Sequence, residues 1–360
     1  MKPGRLRMDT GRRRLLGWGS AYPGEPVSTE ALCHKLQQQL GIATHRYARL
    51  LGDRLGVRSR YLCRDFQQAH EAPRPGSRNP ELAAQALRQA LQRAAVATDA
   101  LAYLISHTTT PAQLLPAGSA EVARLVGHTG AHMELRQACT GFANALQIAF
   151  AMTAQPGSAP VGIVGVETGS VFFDPASLHN GSAQWVNFLQ MGDGAAAVVI
   201  GPDDDNHHLP TLSCAYFGQC QNPPAPGLCL EQGGSDASRC DSGVLHFAHD
   251  YKSVMQHGLA LLDNGRSALA SVGYSAKDAQ WLVPHQASGA LASWLAGQWH
   301  LPTHKVCAHG AQVGNLGSAS IWAALDDWLS RGAPCTGDLA LFLGAEATQY
   351  SYGGFALEMP

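Results

Sequence analysis

The chain has 360 residues, 45% of them hydrophobic and 14% charged, apolar material enough for two fused domains under a modestly charged surface. A formal net charge of −2 and a pI near 6.7 leave no basic footprint for nucleic acid. No run of about 18 apolar residues offers a membrane span.

The start, MKPGRLRMDTGRRRLLGWGS, is rich in arginine but lacks the apolar core of a secretory leader. A cytoplasmic protein with a solvated, disordered basic tail is expected. Beyond it, short apolar strands alternate with helical runs, the pattern of an α/β fold with parallel sheets. LAYLISHTT (101–109), PVGIVGVETG (160–169) and GAAAVVIGP (194–202) read as buried strands; AGSAEVARLVG (117–127) and ACTGFANALQIAFAMTAQ (138–155) have helical spacing.

The acidic, proline-bounded segment GPDDDNHHLP (201–210) reads as a connection between an N-terminal half, 1–202, and a C-terminal half, 203–360. A Pro/Gly-rich stretch follows at 217–240. Cys214, Cys220, Cys229 and Cys240 fall in or near it without the C-x-x-C spacing of a structural zinc site, and all nine cysteines are expected as reduced thiols. The sequon at Asn180 is one in form only, since no secretory signal accompanies it. In the second half AQWLVPHQA (279–287) reads as strand then loop, SGALASWLAGQWH (288–300) and GSASIWAALDDWLSRG (317–332) as helices, and DLALFLGA (338–345) and GGFALEM (353–359) as strands. Each half repeats one order, and a duplicated layout sets the helix starts at ACTGF and GNLGSAS side by side across a pseudo-dyad. Neither G-x-G-x-x-G nor a P-loop lysine motif is present, so nucleotide chemistry loses its support.

Three residues draw attention as chemistry. Cys139 stands at the first turn of a helix, where exposed backbone N–H groups favour a thiolate, and Gly141 two residues on permits close approach of a substrate. His285 follows a proline at the end of an apolar strand, where α/β folds carry function. Asn315 opens another helix; alone it reads as an N-cap, but with the other two it supplies a neutral donor beside a nucleophile and an imidazole.

LRQACTGFANAL, FLQMGDGAAAVVIG, WLVPHQAS and VGNLGSASIWAALDDWL, in this order, resemble 3-oxoacyl-ACP synthase III (ketoacyl synthase III), of the thiolase-fold superfamily. LLGWGSAYPGEPVST resembles its opening strand and loop, and DRLGVRSRY (53–61) its R-x-G-I-x-x-R segment. The resemblance implies a five-layered αβαβα fold of two similar halves, usually a homodimer. It implies an acyl group passed from a thioester to Cys139. His285 and Asn315 would then steady the enolate released from a malonyl thioester by decarboxylation, and backbone N–H groups including that of Cys139 would form the oxyanion hole. It also places Leu115, Phe142 and Gly353 at the substrate. No metal or cofactor is implied; acyl-CoA or an acyl-carrier thioester is the substrate.

Departures from the family pattern bear on that substrate. Leu50, four residues before Arg54, falls near the tryptophan that stacks on the CoA adenine. Ser288 and Ala290 stand where the family has an asparagine and a carrier-contacting arginine. The helix that normally docks acyl carrier protein, 288–300, has no Lys or Arg and forgoes electrostatic steering. The C-terminal glycine-rich loop reads GAEATQYSYGG (344–354). A specialised-metabolism relative fits these losses beside an intact trio. The alternatives are an acyltransferase moving the acyl group from Cys139 to an O, N or aromatic-carbon acceptor, and a non-catalytic subunit of a heteromeric synthase. Thiolase fits less well, since that loop holds no second cysteine.

Overall fold

In the computed structural model, residues 1–41, 45–64, 73–178, 184–204, 207–231, 233–235, 246–332 and 334–360 are described. The chain opens with β1 (Pro3–Ala21), β2 (Val27–Ser28), α1 (Thr29–Leu40), α2 (His45–Leu55), β3 (Ser59–Arg60) and α3 (Asn79–Ala94). It continues through β4 (Tyr103–His107), α4 (Gly118–Val126), β5 (Ala131–Leu135), α5 (Gly141–Met152), β6 (Val161–Glu167), α6 (Trp185–Gln190) and β7 (Gly194–Pro202). After the connection come β8 (Thr211–Cys220), β9 (Leu228–Glu231), β10 (His246–His249), α7 (Tyr251–Ala270), β11 (Trp281–Pro284), α8 (Leu291–Trp299), α9 (Gly310–Val313), α10 (Ser320–Arg331), β12 (Leu339–Glu346) and β13 (Ser351–Glu358).

Nine strands form one mixed sheet in the order β11-β12-β13-β8-β1-β7-β6-β4-β5. Parallel pairs β4–β5, β4–β6 and β11–β12 are joined by helical crossovers, as the alternating pattern predicts. The strands are apolar on both faces because helices cover both. Val161 and Ile163 of β6 pack with α5 and α10, while Val164 and Val166 pack with α3 and α4. In the second half Phe342 of β12 joins the α5/α10 cluster, and Leu341 and Leu343 join α7 and α8. The layers therefore run α3/α4, sheet, α5/α10, sheet, α7/α8, which is the thiolase-like αβαβα architecture. The sequence of α5, apolar almost all round, suits a helix buried between sheets.

The two halves follow one plan. β1, α3, β4, α4, β5, α5, β6 and β7 are matched in order by β8, α7, β11, α8, an isolated parallel bridge from Leu282 to Val306, α10, β12 and β13. We read 1–202 and 203–360 as these halves. The sheet itself is continuous, because β1 pairs with β7 along its second part and with β8 along its first.

That long β1 corrects the expectation of a disordered tail. Its arginines find partners far along the chain. Arg7 Nε donates to Gln147 (3.0 Å), Arg13 Nε to the Thr153 hydroxyl (2.9 Å), and Arg12 and Arg14 pair with Glu358 (3.1 Å) and Asp203 (2.9 Å). Composition marked the segment as solvated; strand pairing and these long-range bonds order it.

Candidate active site

The turn between β5 and α5 delivers Cys139. Gly141 N donates to Ala138 O (2.9 Å), closing the turn, and α5 starts at Gly141. A side chain at that glycine would have its Cβ 2.8 Å from His107 Nδ1, so the position demands glycine for space. Cys139 is buried and lines a cavity of about 1010 Å³ together with Asn315, Glu167 and Glu346.

The expected thiolate does not hold in the resting protein. Burial pushes the Cys139 thiol well above its ordinary value, and the carboxylates of Glu346 and then Glu167 push it further. The partial positive charge of a helix start is outweighed by desolvation and two buried anions. A proton must leave the sulfur as it reacts.

Asn315 sits on a backbone fixed at both ends: its N–H donates to Gln190 O (2.8 Å) and its carbonyl accepts from Gly192 N (3.0 Å). Its Oδ1 accepts from Gly317 N (2.9 Å) and the Ser320 hydroxyl (3.2 Å). The carboxamide oxygen is thereby engaged in its own turn, and the N–H end remains as the donor for a ligand. Asn315 is not the N-cap expected of it: Leu316 caps the Gly317–Ala319 turn and Ala319 caps α10, with Asn315 bonding into the turn from just before it.

His285 follows β11, its N–H donating to Leu343 O of β12 (2.7 Å). The ring is buried but outside the cavity wall, and among the described residues its Nδ1 has no hydrogen-bond partner. Burial lowers its pKa to about 4, so the imidazole is neutral at physiological pH. Its loop is tied to Asn315 through Gln190, whose side chain donates to Ala287 O. The structure thus sets Cys139 and Asn315 on one cavity and holds His285 off its wall, on a loop tied to Asn315 through Gln190.

Two buried carboxylates at the site escaped the sequence reading. Glu167 ends β6 and accepts from Thr109 N (3.0 Å), the hydroxyls of Thr108, Thr109 and Thr110, and the Ser318 hydroxyl. Glu346 ends β12 and accepts from Thr140 N (2.9 Å), the Thr140 hydroxyl (2.6 Å) and the Thr348 hydroxyl. A charged residue closing an otherwise apolar, doubly buried strand is the signal that could have found both.

The residues expected at the substrate lie elsewhere. Phe142 is fully buried against Trp322 (centroids 5.5 Å apart) and Phe355, and is a core residue. Gly353 lies in β13, where a Cβ would come 2.4 Å from Ala143 Cβ; its role is close packing of strand on helix. Leu115 is 87% exposed and off the cavity, while its neighbour Leu114 lines it. Leu50 is exposed on α2, and α8 carries no basic residue. Of the 217–240 insertion, Pro226, Leu228, Cys229 and Leu230 line the cavity, whereas 232 and 236–240, with Cys240, lie outside the described residues. Asn180 lies outside them too. Among the described residues no His, Cys, Asp or Glu cluster could hold a metal ion, and no helix is long and apolar enough to cross a membrane.

Comparison with known proteins fits this site. The family model of 3-oxoacyl-[acyl-carrier-protein] synthase III matches residues 133–216, and the model of its C-terminal region matches 269–359. The chain is similar to the β-ketoacyl-[acyl-carrier-protein] synthase III of Sinorhizobium medicae, 27% identical over 96% of this chain and 99% of that one. Among solved structures it is similar to the priming β-ketosynthase of a polyketide biosynthetic pathway, with 27% identity, a TM-score of 0.77 and 99% of both chains covered. With a tetronic acid condensing enzyme it shares a fold, at TM-score 0.82 and 24% identity over 96% of this chain and 99% of that one. One model takes in Cys139 and the other His285 and Asn315, on a likeness running almost end to end: the chain belongs to the 3-oxoacyl-[acyl-carrier-protein] synthase III family, acyl-transferring condensing enzymes of fatty acid or polyketide metabolism.

Proposed function

We propose that Cys139 takes an acyl group from a thioester, and that the resulting acyl-enzyme condenses with the enolate formed by decarboxylation of a malonyl thioester. The observation that carries the reading is the shared cavity of Cys139 and Asn315, with the asparagine oxygen occupied and its N–H end left to donate. His285 is neutral, so its ring, once turned from its loop to the cavity, would add a second donor without adding a charge, which suits an enolate oxygen gaining negative charge in the transition state. Each such donor is worth about 3 kcal/mol when the site excludes water.

The thioester carrier is read as CoA or acyl carrier protein. The uncharged exposed face of α8 argues for weak carrier steering. A cytoplasmic homodimer is the expected assembly. The open edge of the sheet at β5 and the exposed Leu114 and Leu115 support it, since both would be covered by a second copy.

Intact-protein mass spectrometry with a panel of acyl-CoAs and acyl carriers tests the first half: an acyl mass on the parent is expected and none on Cys139→Ala. Release of carbon dioxide from a malonyl thioester tests the second half. Acylation without release, with the acyl group found on an oxygen, nitrogen or aromatic carbon, would replace condensation by simple transfer.

A further inference from the structure

The acylation half-reaction leaves a proton to be moved, and the cavity holds one group able to move it. Cys139 is a thiol at rest, while the carrier's sulfur must leave as a thiol. Among the described residues that line the cavity with Cys139, the bases are Glu167 and Glu346; Asn315 is none, and His107 and His285 lie off the wall. The arginines on the same wall are cations: Arg78 pairs with Glu121 (3.0 Å), Arg136 with Glu134 (3.0 Å), and Arg64 donates to Val171 O (3.3 Å).

The two carboxylates differ in what they have left to give. A carboxylate offers about four lone-pair positions. Glu167 meets five donors, so it is saturated. Among the described residues Glu346 meets three: both Thr140 donors converge on Oε2, and Thr348 alone donates to Oε1. Among the described residues one position on Glu346 is untaken. The bond from Thr140 N also bounds the distance, since Thr140 follows Cys139 directly; standard covalent geometry then puts the sulfur no more than about 7 Å from that oxygen, a gap that one or two waters span.

We propose that Glu346 carries the proton of the acylation step, accepting it from Cys139 as the thioester is attacked and handing it to the departing sulfur. The inference rests on the reading of Cys139 as acyl acceptor. The Cys139 S–C bond forms, the bond from the acyl carbon to the carrier sulfur breaks, and the thiol proton ends on that sulfur; Glu346 is unchanged at the end of the cycle. The raised affinity of Cys139 for its proton is consistent with a base placed to relieve it.

The test measures two reactions of the same sulfur in the full-length protein, acylation by an acyl-CoA and alkylation by iodoacetamide, both followed by intact-mass spectrometry. Glu346→Gln removes base and anion together. Acylation is expected to fall by about 100-fold, while alkylation, which needs only the thiolate, proceeds at least as fast as in the parent. Glu346→Asp is expected to recover about tenfold of the acylation. Acylation of Glu346→Gln within about threefold of the parent overturns the proposal, as does a fall in both reactions that Asp leaves unrepaired. A parent that alkylates at Cys139 yet never acquires an acyl mass removes the underlying reading instead.

Discussion

The two halves place the same pair of residues at the same register and use them differently. His107 of β4 lies opposite Gly165 of β6, two residues before Glu167; the run of β11 beside β12 would put His285 opposite Gly344, two residues before Glu346. Each glutamate reaches across the pseudo-dyad to the helix start of the other half, Glu167 to Ser318 and Glu346 to Thr140. In the first half the glutamate is consumed by its partners. In the second it keeps spare capacity, among the described residues, beside Cys139. Duplication thus supplies two equivalent frames, and the number of donors around each carboxylate distinguishes the one that ties the halves together from the one proposed to move a proton.

The largest expected effect breaks or sustains that contrast. Glu167→Ala strands donors from three threonines, one backbone amide and Ser318 in a buried site, and is expected to cost about 3–5 kcal/mol in urea unfolding. Glu346→Gln keeps an oxygen for Thr140 and is expected to cost about 1–2 kcal/mol while losing acylation. Equal stability losses from the two would erase the distinction between tie and working group.

The matched histidines offer a pH test. Burial lowers His107 to about 3 and His285 to about 4. Both folded values lie below the ordinary 6.5, so the unfolded chain takes up protons first. Stability is flat above about pH 6.5 and is lost as pH falls from there toward the folded values. Between pH 6.5 and 4.5 His107 alone is expected to account for about 2–3 kcal/mol, which His107→Ala removes from the slope of stability against pH. Condensation, by contrast, is expected to show no imidazole titration between pH 8 and 5, because His285 stays neutral there. A step in rate near pH 6.5 would place its ring in a wetter setting than its burial shows.

The glycines opposite these histidines sharpen the same comparison. At Gly165 a Cβ would come within 2.4 Å of the Ser318 carbonyl and 2.7 Å of the His107 ring. At Gly344 it would meet the Phe142 ring at 2.5 Å. Backbone cannot yield as a side chain can, so Gly165→Ala is expected to cost about 3 kcal/mol and Gly344→Ala about 1–2 kcal/mol by thermal or urea unfolding.

What was legible in the sequence follows from how local its cause is. Apolar runs of four to nine residues gave β4, β6, β7, β11 and β12, and small-residue turns marked the starts of α5 and the segment before α10. Cys139, His285 and Asn315 could be singled out because each stands at a strand end or helix start, and of the three the structure sets Cys139 and Asn315 on one cavity. The ordering of β1 was not, since its arginines depend on Gln147, Thr153, Asp203 and Glu358, all more than 130 positions away. Nor was the role of Phe142: beside a nucleophile in sequence, it points into the Trp322 and Phe355 cluster instead. Glu346 is the instructive case, because its partner Thr140 is 206 positions distant and only the crossing of the halves brings them together.

The smallest expected effect concerns the outer helices. α4 carries Glu121 and Arg124, whereas its counterpart α8 presents Ser293, Trp294, Gly297 and Gln298 to solvent without a charge. If α8 is the docking face for an acidic carrier, its neutrality limits the encounter rate and leaves chemistry at Cys139 untouched. Ser293→Arg with Gln298→Arg is then expected to raise kcat/KM for carrier-bound thioesters about threefold at low salt. The gain should vanish toward 1 M salt, where the screening length is about 3 Å, and be absent for the same acyl group on CoA. A gain that survives high salt would mean new short-range contacts in place of steering, and an equal gain on CoA would move the effect from carrier docking to the cavity mouth.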